Sequence, residues 1–150
     1  MDTERSKNKI DLPSFTDISM AAQRLVGIIH CTPLFESLKI NKKLGAKIFF
    51  KIESKQRTGS FKIRGAYNRI SQIPIETRSR NIVAFSSGNH AQAVAAVAKM
   101  LDFKATIVMP EDAPDIKISA TRKYGANIIF YNRLTKNREN IARSLIAKNG

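Results

Sequence analysis

Short β-branched apolar runs alternate with longer helix-patterned stretches along this chain, and that alternation restricts its possible folds more than any other feature. Asn81-Ile82-Val83-Ala84-Phe85 reads as a strand buried on both faces. Ala91 to Leu101 follows, Ala-rich with Val94, Val97 and Leu101 three to four apart, and reads as a helix. Ala105 to Met109 and Asn127 to Tyr131 are two more strands. Between them, Pro114 starts a helix, Asp115 sits in its first turn and Gly125 marks its end. Lys136 to Lys148 reads as a last helix, with Ile141 and Leu145 inward. Upstream, Asp17 to Val26 reads as a helix capped by Thr16 or Asp17, and Lys47 to Ile52 as a strand. Lys62 to Ile73 is amphipathic, with Ile63, Ala66, Tyr67, Ile70 and Ile73 on one face and Pro74 as its stop. No Gly/Ser linker occurs, and the nearest thing to a hinge is Asn41 to Ala46. Right-handed crossovers then predict an α/β fold, with all these strands in one twisted parallel sheet flanked by helices.

The 150 residues are 43% hydrophobic, enough for a single sizeable core. No apolar run approaches the roughly 18 residues of a membrane span, so no membrane partner is expected. Met1 to Asp11 is polar and of mixed charge, without the apolar core of a secretory signal, which makes a cytoplasmic location the default. The single cysteine, Cys31, excludes an internal disulfide, and no Cys/His spacing fits a zinc site, so no metal is expected. The net charge of +14 raises the question of nucleic acid. Lys plus Arg number 8, 9 and 9 in successive thirds, with no block of like charge, so nucleic acid is not an expected partner. A diffuse positive potential still favours small anions.

Two segments carry chemistry. In Gly59-Ser60-Phe61-Lys62-Ile63-Arg64-Gly65-Ala66, a lysine lies between two apolar residues as a helix begins. Burial and the helix dipole are expected to lower its pKa, and a neutral amine forms Schiff bases. A lysine stem laid over a helix start is the alternative account. In Ser86-Ser87-Gly88-Asn89-His90-Ala91-Gln92, a strand passes through a tight loop into a helix, an arrangement that aims backbone N–H groups at an anion. Gly88 permits close approach or positive φ, and Asn89 offers both donor and acceptor. Ser86 and Ser87 serve equally well as helix caps. Glu111 and Asp112 read as turn residues, and His30 and Cys31 as packing residues.

With Cys31-Thr32-Pro33-Leu34, Met109-Pro110-Glu111-Asp112-Ala113-Pro114 and Ala120-Thr121-Arg122-Lys123-Tyr124-Gly125-Ala126, these segments resemble the N-terminal portion of the serine/threonine dehydratase (threonine ammonia-lyase) family. That family belongs to the fold-type II pyridoxal 5′-phosphate enzymes, and the resemblance runs from about Phe15 to Gly150. It implies a tryptophan synthase β-like architecture, with 1–46 an N-terminal segment of an incomplete large domain and 47–150 the small α/β domain. It implies that Lys62 binds the cofactor as a Schiff base and then removes the Cα proton, with Phe61 beside it. Asn89 would donate to the 3′-oxygen of the pyridoxal ring. Backbone N–H groups of Ser86, Ser87, Gly88, Asn89 and His90 would hold the substrate carboxylate. Ser87 matches the serine that acts as acid/base on the opposite face in serine racemase.

The activity implied is β-elimination of L-threonine or L-serine to 2-oxobutanoate or pyruvate and ammonia. Serine racemase and threo-3-hydroxyaspartate ammonia-lyase are the alternatives. From another class comes a non-catalytic small-domain remnant that binds a partner or an amino-acid carboxylate. A small amino acid is the expected substrate, and the full-length protein is expected to be a homo-oligomer. The chain departs from the family in two respects. Its seven glycines are all isolated, so the consecutive-glycine phosphate loop is missing, and Cys31 stands where relatives often carry a basic residue. The chain therefore looks truncated and, alone, inactive.

Overall fold

A computed structural model describes residues 12–77 and 81–149, so the expectations for Met1 to Asp11 and for Gly150 lie outside the described residues. β3 (Asn81–Phe85), β4 (Lys104–Pro110) and β5 (Asn127–Tyr131) form a parallel sheet with β4 in the middle. The connections are helical: α4 (Asn89–Met100) between β3 and β4, and α5 (Asp115–Lys123) between β4 and β5. β4 is buried from Ala105 to Pro110, which is why it carries an unbroken apolar run rather than an alternating one. One face of the sheet packs on α4, and α4 on α3 (Lys62–Ile70). That core contains Ile63, Val97, Ile107 and Met109, all with no exposed surface. Burying one such side chain contributes roughly 2 kcal/mol. α6 (Arg138–Asn149) covers the opposite face, around Val108, Tyr131 and Ala142. The α/β class, with a parallel sheet flanked by helices, is as the sequence predicts.

α4 is buried at Ala91 and from Ala93 to Ala98, so both the sheet and α3 lie against it through small side chains. Such a helix can lie close to two partners at once, and its amino end is then held firmly. That end is the one that follows the Ser86-Ser87-Gly88 loop.

Upstream, several expectations are corrected. The Lys47–Ile52 run does not join the parallel sheet. Only Phe49–Lys51 is strand, β2, and it pairs antiparallel with β1 (Leu34–Glu36), Phe35 opposite Phe50. β2 is exposed along its whole length, whereas a parallel strand requires cover on both faces.

Asn41 to Ala46 is no hinge. α2 (Leu38–Leu44) runs through it, capped by the Ser37 hydroxyl at one end and by Gly45, at φ +61°, at the other. The Asn41 side chain donates to Glu36 (2.8 Å) and accepts from the Ile48 N–H (2.9 Å), fixing both flanks. α1 (Phe15–Arg24) begins two residues earlier than expected because Ser14, not Thr16 or Asp17, is its cap. Ser14 Oγ accepts from the Asp17 N–H at 3.2 Å and the Asp17 carboxylate accepts from the Ser14 N–H at 2.7 Å. α3 stops at Ile70, short of the predicted Ile73.

Candidate active site

Lys62 is the first residue of α3, and the chain before it is tied down residue by residue. The buried Gln56 side chain accepts from the His30 N–H and donates to the His30 carbonyl, both at 2.9 Å, and accepts from the Arg57 N–H at 3.0 Å. Gly59, at φ +69°, turns the backbone, with its N–H donating to the Gln56 carbonyl at 2.8 Å. Beyond Lys62, Ile63 is sealed in the core. Arg64 makes two bonds to Glu53, from Nε at 2.9 Å and from a terminal nitrogen at 2.7 Å. Thr32 donates to the same carboxylate, and Lys51 Nζ donates to the Thr32 carbonyl at 2.6 Å. The Arg64 guanidinium, with help from the Thr32 hydroxyl, lowers the Glu53 pKa to about 2 against burial, and Glu53 in turn holds Arg64 above its ordinary value. The segment bearing Lys62 is therefore rigid on both sides.

The burial expected for Lys62 is not found. Lys62 is exposed, Phe61 is 57% exposed, and the Lys62 ammonium lies 4.9 Å from the centre of the Phe61 ring, a cation–π contact. The cause is the helix pitch: Ile63, Ala66 and Ile70 take the inward face and turn Lys62 outward. Its charge nonetheless reaches the loop after β3. Partial burial of the His90 ring, then the positive charge of Lys62, hold His90 below the ordinary histidine range.

That loop sits at the carboxyl end of β3, where α/β sheets place their ligand crevices. The Ser86 N–H extends the sheet ladder to the Val108 carbonyl (3.1 Å), and the Gly88 N–H donates to Ser86 Oγ (3.2 Å). Of the five backbone donors expected to face a carboxylate, those two are engaged. The N–H groups of Ser87, Asn89 and His90 have no partner among the described residues. Gly88 has a φ of −157°, so positive φ is not its role; a Cβ there would project into open space with nothing within 4 Å. Asn89, the first residue of α4, is exposed, and its Oδ1 accepts from Lys117 Nζ. The same ammonium donates to Gln92 Oε1 at 3.0 Å.

Lys117 was not legible as a site residue, because it lies 28 positions from Asn89 on another helix. Elsewhere, Asp112 pairs with Arg133 at 2.8 Å on the surface, as befits a turn. The His30 ring lies 3.2 Å from the Lys55 carbonyl, and Cys31 is exposed. A hollow of about 790 Å³ lies at the opposite ends of the strands, beside Asn81 and Asn127. Its lysines, Lys99 and Lys104, extend into solvent, and nothing there is positioned as Lys62 is.

The described residues thus present an exposed lysine at one helix start and, at another, a loop whose Ser87, Asn89 and His90 N–H groups have no partner. Residues 26–150 match the family model for pyridoxal-phosphate dependent enzymes, and the chain belongs to that family. It is 49% identical over 141 residues to L-threo-3-hydroxyaspartate ammonia-lyase from a Pseudomonas species, covering 94% of this chain and 44% of the relative. It is 47% identical over 114 residues to the L-threonine ammonia-lyase of Thermotoga maritima, covering 76% of this chain and 28% of the relative. Maize serine racemase superposes with a TM-score of 0.83 at 39% identity, over 89% of this chain and 40% of that one. The chain thus spans less than half the length of these relatives. The cofactor implied by this membership is pyridoxal 5′-phosphate, and the donor set fits it: an exposed primary amine, an amide with its N–H₂ end uncommitted, and open room beside Gly88.

Proposed function

We propose that the complete protein catalyses pyridoxal-phosphate-dependent β-elimination of a β-hydroxy-α-amino acid, with L-serine and L-threonine as substrates; the water lost in the elimination is taken up again on hydrolysis, so the net products are ammonia and a 2-keto acid. The observation that carries this reading is the joint placement of Lys62 and the Ser86–His90 loop, close enough for the lysine charge to act on the His90 ring. When bound, the cofactor supplies an electron sink for the Cα–H bond electrons. The rest of the work belongs to this chain.

Lys62 Nζ would hold the cofactor and, as a free amine, would take the Cα proton of the substrate. The anchored helix start fixes the backbone from which that nitrogen extends. Asn89 Nδ2 would donate to the ring oxygen of the cofactor. The free N–H groups of Ser87, Asn89 and His90 orient the substrate carboxylate at the positive end of α4. Ser87, which is exposed, would exchange a proton on the other face of the substrate. Residues 47–150 as the small domain belong to the same proposal, as do homo-oligomeric assembly and a cytoplasmic location.

A second reading, L-threo-3-hydroxyaspartate as the preferred substrate, is favoured by the 49% identity over nearly the whole chain to a relative of that name. Keto-acid release should be followed with L-serine, L-threonine and L-threo-3-hydroxyaspartate on the complete protein and its Lys62→Ala variant. The proposal predicts turnover of at least one of them and none by the variant. Equal turnover by Lys62→Ala, or no keto acid from any of the three, would refute it.

A further inference from the structure

An exposed asparagine amide can present either its oxygen or its N–H₂ group to a ligand, and the two orientations differ little in energy unless a neighbour distinguishes them. Only one of them suits a negatively charged ligand oxygen, since the flipped amide would offer it a second lone pair. At Asn89 the neighbour is Lys117. Its ammonium has donors and no acceptor, so it accepts only the orientation with Oδ1 toward α5. Lys117 also donates to Gln92 one turn along α4, which holds the ammonium over the first turn of that helix. The Lys117 backbone is secured in α5 by an N–H bond to the Pro114 carbonyl and by Thr121 Oγ1 donating to its carbonyl, both at 2.8 Å. Thr121 is fully buried. Among the described residues the Lys117 ammonium has no carboxylate partner; both its contacts are neutral amides.

We propose that Lys117 is a positioning residue: by holding Asn89 Oδ1 it commits Asn89 Nδ2 to donate to an anionic oxygen of the bound cofactor. The inference rests on the reading of Asn89 given above and adds a residue on a different helix that decides how Asn89 works. Lys117 itself touches no reacting atom.

The test measures cofactor dissociation constants by absorbance titration of the complete apoprotein. Four forms are needed: the parent, Lys117→Met, Asn89→Ala and the double variant. Thermal melting of each apoprotein serves as a control. Lys117→Met should weaken cofactor binding about tenfold, in keeping with loss of one oriented bond to a charged group. In the Asn89→Ala background the same change should have no further effect, because the residue on which it acts is gone. A purely structural role would weaken binding in both backgrounds. Should Lys117→Met fail to fold, Lys117→Gln keeps a polar stem, removes the charge, and should weaken binding in the same dependent manner. Equal weakening in both backgrounds, or none in either, overturns the role given to Lys117. Asn89→Ala binding the cofactor as tightly as the parent overturns instead the site reading on which it rests.

Discussion

Replacing Glu53 by Gln keeps the side chain's shape and removes the charge that joins Thr32, Arg64 and, through Thr32, Lys51. The Arg64 guanidinium lowers the Glu53 pKa from the ordinary 4.5 to about 2. That fall corresponds to about 3 kcal/mol of native-state stabilisation. The two side chains retain 16% and 31% of their exposure, so solvent screening reduces the expected value to about 2 kcal/mol. The sign follows from the direction. A carboxyl group with a lowered folded pKa stabilises fully above its unfolded value, so the contribution is present at pH 7. It is lost as pH falls from 4.5 toward 2.

Urea unfolding followed by far-UV circular dichroism, at several pH values, measures this directly. Glu53→Gln should be less stable than the parent by about 2 kcal/mol at neutral pH, and the gap should close through the acid range. A gap under about 0.5 kcal/mol at pH 7, or one that does not change with pH, would refute the reasoning.

Three further outcomes follow from particular contacts. Lys62→Met should raise the His90 pKa, measured by NMR titration of its ring protons, but leave it below the ordinary histidine value, because burial is the larger cause; no change would separate Lys62 from the loop. Ile107→Ala, at a site with no exposed surface between β3 and β5, should cost about 2–4 kcal/mol by chemical denaturation, and a cost near zero would contradict the core described here. Gln56→Ala should remove three bonds that hold residues 30 and 57, and amide exchange at His30 and Arg57 should quicken by at least about tenfold.

The parallel half of the fold was legible because its signals are local. β3, β4 and β5 are dense apolar runs, and α4 and α5 carry their own periodicity and end signals. The first half was harder to read for a physical reason. β1 and β2 have three residues each, lie exposed, and gain their order from each other and from Asn41, so neither carries a strand pattern alone. Lys62 and the Ser86–His90 loop stood out through residue type and spacing. Their supports did not: Glu53 meets Arg64 across a turn and a helix start, and Lys117 meets Asn89 from a separate crossover helix. Long-range polar contacts leave no periodic trace in a sequence. The neighbours of Lys62 misled for the opposite reason. Two flanking apolar residues predict burial, yet a helix start sent only Ile63 inward.

The most direct measurement is borohydride reduction of the complete holoprotein, followed by proteolysis and mass spectrometry. The account predicts a reduced pyridoxyl phosphate group on Lys62 and on no other lysine. A label on a different lysine, or none on a protein that retains its cofactor, would contradict it.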